Sequence, residues 1–299
     1  MKGNTGAHLA LFGANLIYGL NYTIAKDVMP TYIEPLGFIL LRVSGAALLF
    51  WLLLLNRKWE KVAWKDLGRM AILALFGVAA NQLLFFSGLN LTTPINAAII
   101  MTSNPILVLI MSAIIIRERL TLLKILGIII GASGAILLLT VQQKGQVALM
   151  DSNYMLGNLL IFLNATSYAI YLVLVKPIMN KYSPVTVIRW VFTFGLIYVT
   201  PIGWKQFHAI EWSTMPLPIV GATAYVVIGT TFLAYLLNIL AIKKVNPSTV
   251  STYIYLQPLL AAIYAIAIGA DTLNTTMIIS AALIFTGVYF VAVRKRQKV

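Results

Sequence analysis

The chain has 299 residues, 60% of them hydrophobic and 10% charged, with a formal net charge of +14. Ordinary globular domains carry about 25% charged residues, so a water-soluble domain is excluded and an integral membrane protein is indicated. A nucleic-acid partner is excluded too, because the charges sit in short runs between apolar segments of about 20 residues, each able to cross roughly 30 Å of hydrocarbon as a helix.

Ten spans are predicted in chain order: His8 to Ala25, Pro35 to Leu55, Leu67 to Leu89, Pro94 to Ile116, Thr121 to Val141, Tyr154 to Val175, Pro184 to Trp204, Leu217 to Ile239, Pro247 to Gly269, and Thr275 to Val293. The first is read as a span rather than a secretory leader. Asn15, Tyr18, Asn21 and Tyr22 interrupt it, and it ends at Lys26 instead of a small-residue cleavage site. Short connections imply one helical bundle in the lipid bilayer. Seventeen Lys and Arg fall at the amino end, in the 2/3, 4/5, 6/7 and 8/9 connections and in the tail, against Lys26, Lys144 and Lys205 on the other face. The positive-inside rule then puts both termini in the cytoplasm. Trp51, Trp190, Trp204 and Trp212 lie near span ends and are read as interfacial anchors.

The halves repeat. Pro94/Pro247, Pro105/Pro258, Glu118/Asp271, Leu120/Leu273 and Gly134/Gly287 are each 153 residues apart, while Tyr18/Tyr168 and Lys26/Lys176 are 150 apart and Arg42/Arg189 are 147 apart. Uncommon residues in register indicate an internal duplication, divided as 1–145 and 146–299. Because each copy has five spans, the second enters the membrane from the opposite side, and such inverted repeats place a site near the midplane that rocking opens to either side.

Candidate site residues follow from cost. Uncharged polar and aromatic groups at bilayer depth need a partner or water. Span one carries Asn15, Tyr18 and Tyr22 on one arc, and span six carries Asn164, Ser167, Tyr168 and Tyr171 on one stripe. Asn81 and Gln82, Asn104, Tyr235 and Asn238, and Tyr253 and Gln257 add to these from spans three, four, eight and nine. Each alone is more often glue between helices. Because repeat-related helices contribute together, a subset is expected to line a central pocket. Pro105 and Pro258 strip a hydrogen bond from the carbonyls of Met101 and Ile254, so each marks either a repaired kink or a cavity wall. Arg42 and Arg189, one to two turns inside their spans near opposite faces, either reach lipid phosphates or act in anion attraction or gating.

These residues resemble the drug/metabolite transporter superfamily, specifically the permeases built from two EamA domains. The likeness rests on Leu16-Ile17-Tyr18-Gly19-Leu20-Asn21-Tyr22 ending in Lys26, on Arg42, on Pro94 with Pro105, and on Glu118-Arg119-Leu120-Thr121 followed by Gly127, Gly131 and Gly134. The second copy departs from it, with Asp271, Asn274 and Ser280 at the matching places. The resemblance implies an inner-membrane permease or exporter of small organic metabolites, commonly amino acids.

The eight acids all fall in loops or at helix ends, which favours facilitated movement or exchange over ion-driven transport. Glu118 and Asp271 are read as N-terminal caps of spans five and ten. Cysteine is absent and only His8 and His208 are present, so the parts of an intramembrane enzyme, a thiol site or a metal site are missing; no cofactor or metal is expected. The expected partners are a small-molecule substrate and lipid, with the protein a monomer or homodimer. Antiport of phosphorylated metabolites or nucleotide sugars, or a lipid-handling variant of the fold, is the alternative.

Overall fold

The computed structural model describes residues 5–53, 60–142, 152–267 and 275–292. Asp271, Leu273, Asn274, Lys2, Lys144 and the basic tail lie outside the described residues. Those described form ten helical rods and no strand: α1 (Thr5–Val28), α2 (Pro35–Leu52), α3 (Trp64–Leu91), α4 (Pro94–Ile115), α5 (Leu122–Gln142), α6 (Ser152–Met179), α7 (Pro184–His208), α8 (Leu217–Ile242), α9 (247–267) and α10 (Thr275–Ala292). Eight of them are long and apolar enough to cross a membrane. The other two are α1 and α9. Several rods overrun the predicted spans, α6 through Lys176 and α7 through Lys205 to His208. Hydropathy reports only the part matched to hydrocarbon, whereas backbone hydrogen bonding carries a helix on into the interfacial layer.

Prolines set several starts. Pro35, Pro94, Pro184 and Pro247 each stand in a first turn, where a missing amide hydrogen costs nothing. Thr93 and Ser183 cap two of these ends by accepting from the backbone N–H of Asn96 and Thr186.

Packing repeats with a shift of five. α1 lies against α8 and α9, and α6 lies against α3 and α4; α2 contacts α7 and α8, and α7 contacts α2 and α3; α5 pairs with α10. Small residues make the last pairing close: a Cβ on Gly287 would stand 2.6 Å from the carbonyl oxygen of Gly127 and 2.5 Å from the nitrogen of Gly131. The matched lysines have matched roles. Lys26 Nζ donates to the carbonyls of Leu89 (2.8 Å) and Asn90 (2.9 Å) at the end of α3, and Lys176 Nζ donates to those of Ile242 (2.5 Å) and Val245 (2.7 Å) at the end of α8. A cation there satisfies orphan carbonyls and opposes the negative end of the helix dipole. End contacts match as well, since Gln206 Oε1 accepts from the N–H of Leu36 and Gly37 at the start of α2, and Glu60 accepts from that of Ser183 before α7.

Two backbone features were not expected. α3 and α8 each contain a π-helical stretch, Leu75–Ala79 and Tyr225–Leu233, around Gly77 and Gly229 at equivalent positions. Each widens one turn and re-aims the side chains that follow it.

Two expectations are corrected, for Glu118 and for Arg189. Glu118 does not cap α5; its carboxylate pairs with Lys124 (2.5 Å) and accepts from Ser248 of α9, while Thr121 takes the capping place. Trp51 and Trp190, read as interfacial anchors, are half-buried and meet edge-on, with Trp51 Nε1 donating to Thr193 Oγ1 at 3.0 Å. Arg189 lies over their rings, its guanidinium carbon 4.7 Å from the centre of Trp51 and 5.4 Å from that of Trp190, so its charge is buried rather than turned toward lipid phosphates.

Candidate functional site

A cavity of about 80 Å³ opens between the two sets of helices. α1 lines it with Asn15, Tyr18, Asn21 and Tyr22, and α2 with Arg42. α3 contributes Asn81, Gln82, Phe85 and Phe86, and α4 contributes Met101. From the second half come Asn164 and Tyr168 on α6, Thr230, Tyr235 and Asn238 on α8, and Val250, Ile254 and Gln257 on α9. Two repeat-related pairs lie among the residues that line it, Tyr18 with Tyr168 and Met101 with Ile254.

Two hydrogen-bonded chains shape the wall. In one, Tyr22 Oη donates to Gln257 Oε1 (3.2 Å), Gln257 Nε2 donates to Asn15 Oδ1 (2.8 Å), and Asn15 Nδ2 donates to the carbonyl of Leu11 (2.8 Å). This ties α1 to α9. In the other, the Asn238 amide reaches the hydroxyls of both Tyr18 and Tyr168 at 3.4 Å, so one side chain of α8 bridges the repeat-related pair. Tyr235 Oη points to Asn81 Oδ1 and to the carbonyl of Gly77, each at 3.1 Å, and the Tyr235 ring meets Tyr18 edge-on. The Gly77 carbonyl belongs to the π stretch of α3. Asn164 Nδ2 donates to the carbonyl of Asn81 (2.7 Å), which fixes the α6 side.

Arg42 departs most from expectation. It does not reach toward lipid but lies in the cavity wall, 2% exposed. Its guanidinium carbon is 3.9 Å from the centre of the Phe86 ring, and Nε donates to Thr231 Oγ1 at 2.9 Å. Thr231 in turn donates to the carbonyl of Val226, five residues back, a reach that the π stretch makes possible. Among the described residues that line the wall, Arg42 carries the one formal charge.

Four predicted residues lie elsewhere. Asn104 is fully buried and donates to the carbonyl of Ala165 at 2.7 Å, which makes it glue between α4 and α6. Ser167 donates to the carbonyl of Phe76 (2.8 Å). Tyr171 stacks on Tyr168 and fills the space left by Gly77, where a Cβ would come within 2.3 Å of its ring. Tyr253 meets His8 Nδ1 at 2.8 Å, away from the cavity. Pro105 and Pro258 do not line it either. Their effect is upstream, where α4 turns at Thr102 and Ser103 and α9 tightens into a 3-10 stretch at Tyr253–Tyr255. Asn21, Phe85, Phe86, Met101, Thr230, Val250 and Ile254 line the cavity without having been predicted. Asn21 carried a signal, being a polar residue at span depth, whereas the apolar ones are indistinguishable from core in sequence.

A helical bundle with eight rods long and apolar enough to cross a membrane, and a cavity lined from both halves, has the build of a polytopic membrane protein. The sequence model of the EamA-like transporter family matches residues 5–140 and again 155–293, and the chain belongs to that family. It is 26% identical to the uncharacterized transporter YyaM of Bacillus subtilis, over 94% of this chain and 92% of that one. An uncharacterized transporter of Archaeoglobus fulgidus is 27% identical over 93% and 95%, and the WAT1-related protein At3g18200 of Arabidopsis thaliana is 26% identical over 93% and 77%. One crystal structure superposes with a TM-score of 0.77 over 99% of this chain and 100% of its own; at 20% identity that likeness is one of fold alone. The family and the two microbial relatives bear the name of transporters.

Proposed function

We propose that the protein is a carrier of ten transmembrane helices, built from two inverted five-helix repeats (1–145 and 146–299) with both termini cytoplasmic, in the cell's inner (plasma) membrane. It moves small neutral or zwitterionic metabolites such as amino acids by alternating access, in the direction of export. The observation that carries this reading is the cavity between the halves, lined by repeat-related pairs such as Tyr18 and Tyr168 and bridged at Asn238. Symmetry-related walls are what rocking between two equivalent states requires. Tyrosine and phenylalanine faces suit apolar moieties, and the amides of Asn15, Asn81, Gln82, Asn164, Asn238 and Gln257 suit the polar ends of a small solute.

Antiport of phosphorylated metabolites or nucleotide sugars is the weaker reading, since a phosphate ester calls for several converging cations and, among the described residues, the wall carries Arg42 alone. The test is counterflow in reconstituted vesicles with a panel of labelled amino acids. Saturable uptake accelerated by unlabelled amino acid inside supports the carrier. Ohmic conductance, or no movement of any panel member, counts against it.

A further inference from the structure

Arg42 is nearly fully buried, and its Nη1 has no hydrogen-bond partner. Nε is held by Thr231 and one face is covered by the Phe86 ring, which together orient the fork without neutralising it. Among the described residues the ion pairs join Asp66 to Arg69 and Lys181, and Glu118 to Lys124; none reaches Arg42. A buried cation with no counter-ion is costly, and cation–π contacts, the nearer to Phe86 and the farther to Phe38, offset only part of that cost. An anion entering the cavity would offset what remains. The other cations of the bundle interior do not compete for it, because Lys26 and Lys176 hold helix-end carbonyls and Arg189 lies over Trp51 and Trp190. One guanidinium matches one carboxylate, a planar anion whose two oxygens fit the fork.

We propose that Arg42 is the carboxylate anchor of the cavity, so that the solutes this protein accepts carry a free carboxylate. The proposal rests on the carrier reading above and narrows it. On the same wall, Asn21 and Asn164 each present a buried amide oxygen without a hydrogen-bond partner, acceptors of the kind an ammonium group seeks. An α-amino acid uses both features, with its carboxylate on Arg42 and its ammonium among the amides.

The test is thermal stabilisation of the purified full chain by L-amino acids and, in parallel, by the corresponding amino-acid amides, which keep the side chain and ammonium but lose the anion. Free acids are expected to stabilise wild type, with the matching amides binding roughly 10- to 100-fold more weakly. Arg42→Gln is expected to abolish that preference, and Arg42→Lys to retain it only in part, because an ammonium lacks the fork. Equal binding of acids and amides by wild type overturns the anchor while leaving the carrier standing, and this comparison holds even if Arg42→Gln does not fold. An acid preference that survives intact in Arg42→Gln overturns it too. Absence of any response to either set in wild type removes the amino-acid reading itself, and the anchor with it.

Discussion

The contact between Asn15 and Gln257 joins the first helix of one half to the broken helix of the other, and a double-mutant cycle on it tests whether the two halves are coupled as described. Gln257→Leu removes the acceptor of the Tyr22 hydroxyl (3.2 Å) and the donor to Asn15 Oδ1 (2.8 Å), leaving two buried polar atoms without partners. A buried unsatisfied group costs about 1–3 kcal/mol in a soluble core. In a membrane bundle interhelical hydrogen bonds average nearer 0.6 kcal/mol and reach about 1.7 kcal/mol, because the loosened helices find other partners in lipid. Gln257→Leu is therefore expected to destabilise by about 1–3 kcal/mol and Asn15→Leu by a similar amount. The double variant should cost less than their sum by about 0.6–1.7 kcal/mol, since once one partner is gone the other has nothing left to lose. The assay is equilibrium unfolding of detergent-solubilised protein for the four chains of the cycle. Strict additivity, within about 0.3 kcal/mol, would refute the bridge and with it the placement of α1 against α9.

Tyr18→Ala and Tyr168→Ala are each expected to impair transport without reducing membrane insertion, and wild-type flux in both would count against the cavity as the path. Gly287→Val should lower stability by about 1–3 kcal/mol in thermal unfolding, because α5 and α10 cannot approach as closely with a branched side chain between them. Glu60 offers a pH test. Burial alone would raise its pKa, but the Ser183 N–H, at 3.0 Å from one carboxylate oxygen, the Ser183 and Thr186 hydroxyls, and the charge of Lys243 hold it below the usual range. A carboxylate depressed on folding contributes stability above its unfolded pKa and loses it as pH falls through the folded value. Wild type should therefore lose melting temperature on the acid side of the carboxylate range, and Glu60→Gln should flatten that loss; parallel curves would dismiss the contact. Lys26→Met should lower stability by up to about 2 kcal/mol by uncapping α3, which thermal unfolding measures, whereas Lys26→Arg should recover part of it.

Membrane embedding, the positions of the helices and the duplication were legible in the sequence. Each depends on a property that repeats or accumulates along the chain: apolar length, proline at helix starts, and uncommon residues about 150 positions apart. Which face of each helix turns inward was only partly legible. Asn104 and Gln257 both precede a proline of the repeat, yet Gln257 lines the cavity and Asn104 holds α6, because an amide is served equally well by a neighbouring carbonyl and by a partner across a cavity. Arg42 and Arg189 read alike too, and the neighbours separate them: a π stretch presents Thr231 to one, and two tryptophans cover the other.

The amino-acid sequence by itself therefore determined the solvent, the helices and the family, because hydrophobic length and local backbone rules act within a single segment. Only the tertiary structure decided that Tyr18, Tyr168 and Asn238 meet and that the Arg42 charge is directed inward. Those depend on the rotation of each helix about its axis, which packing between segments sets and local composition does not encode.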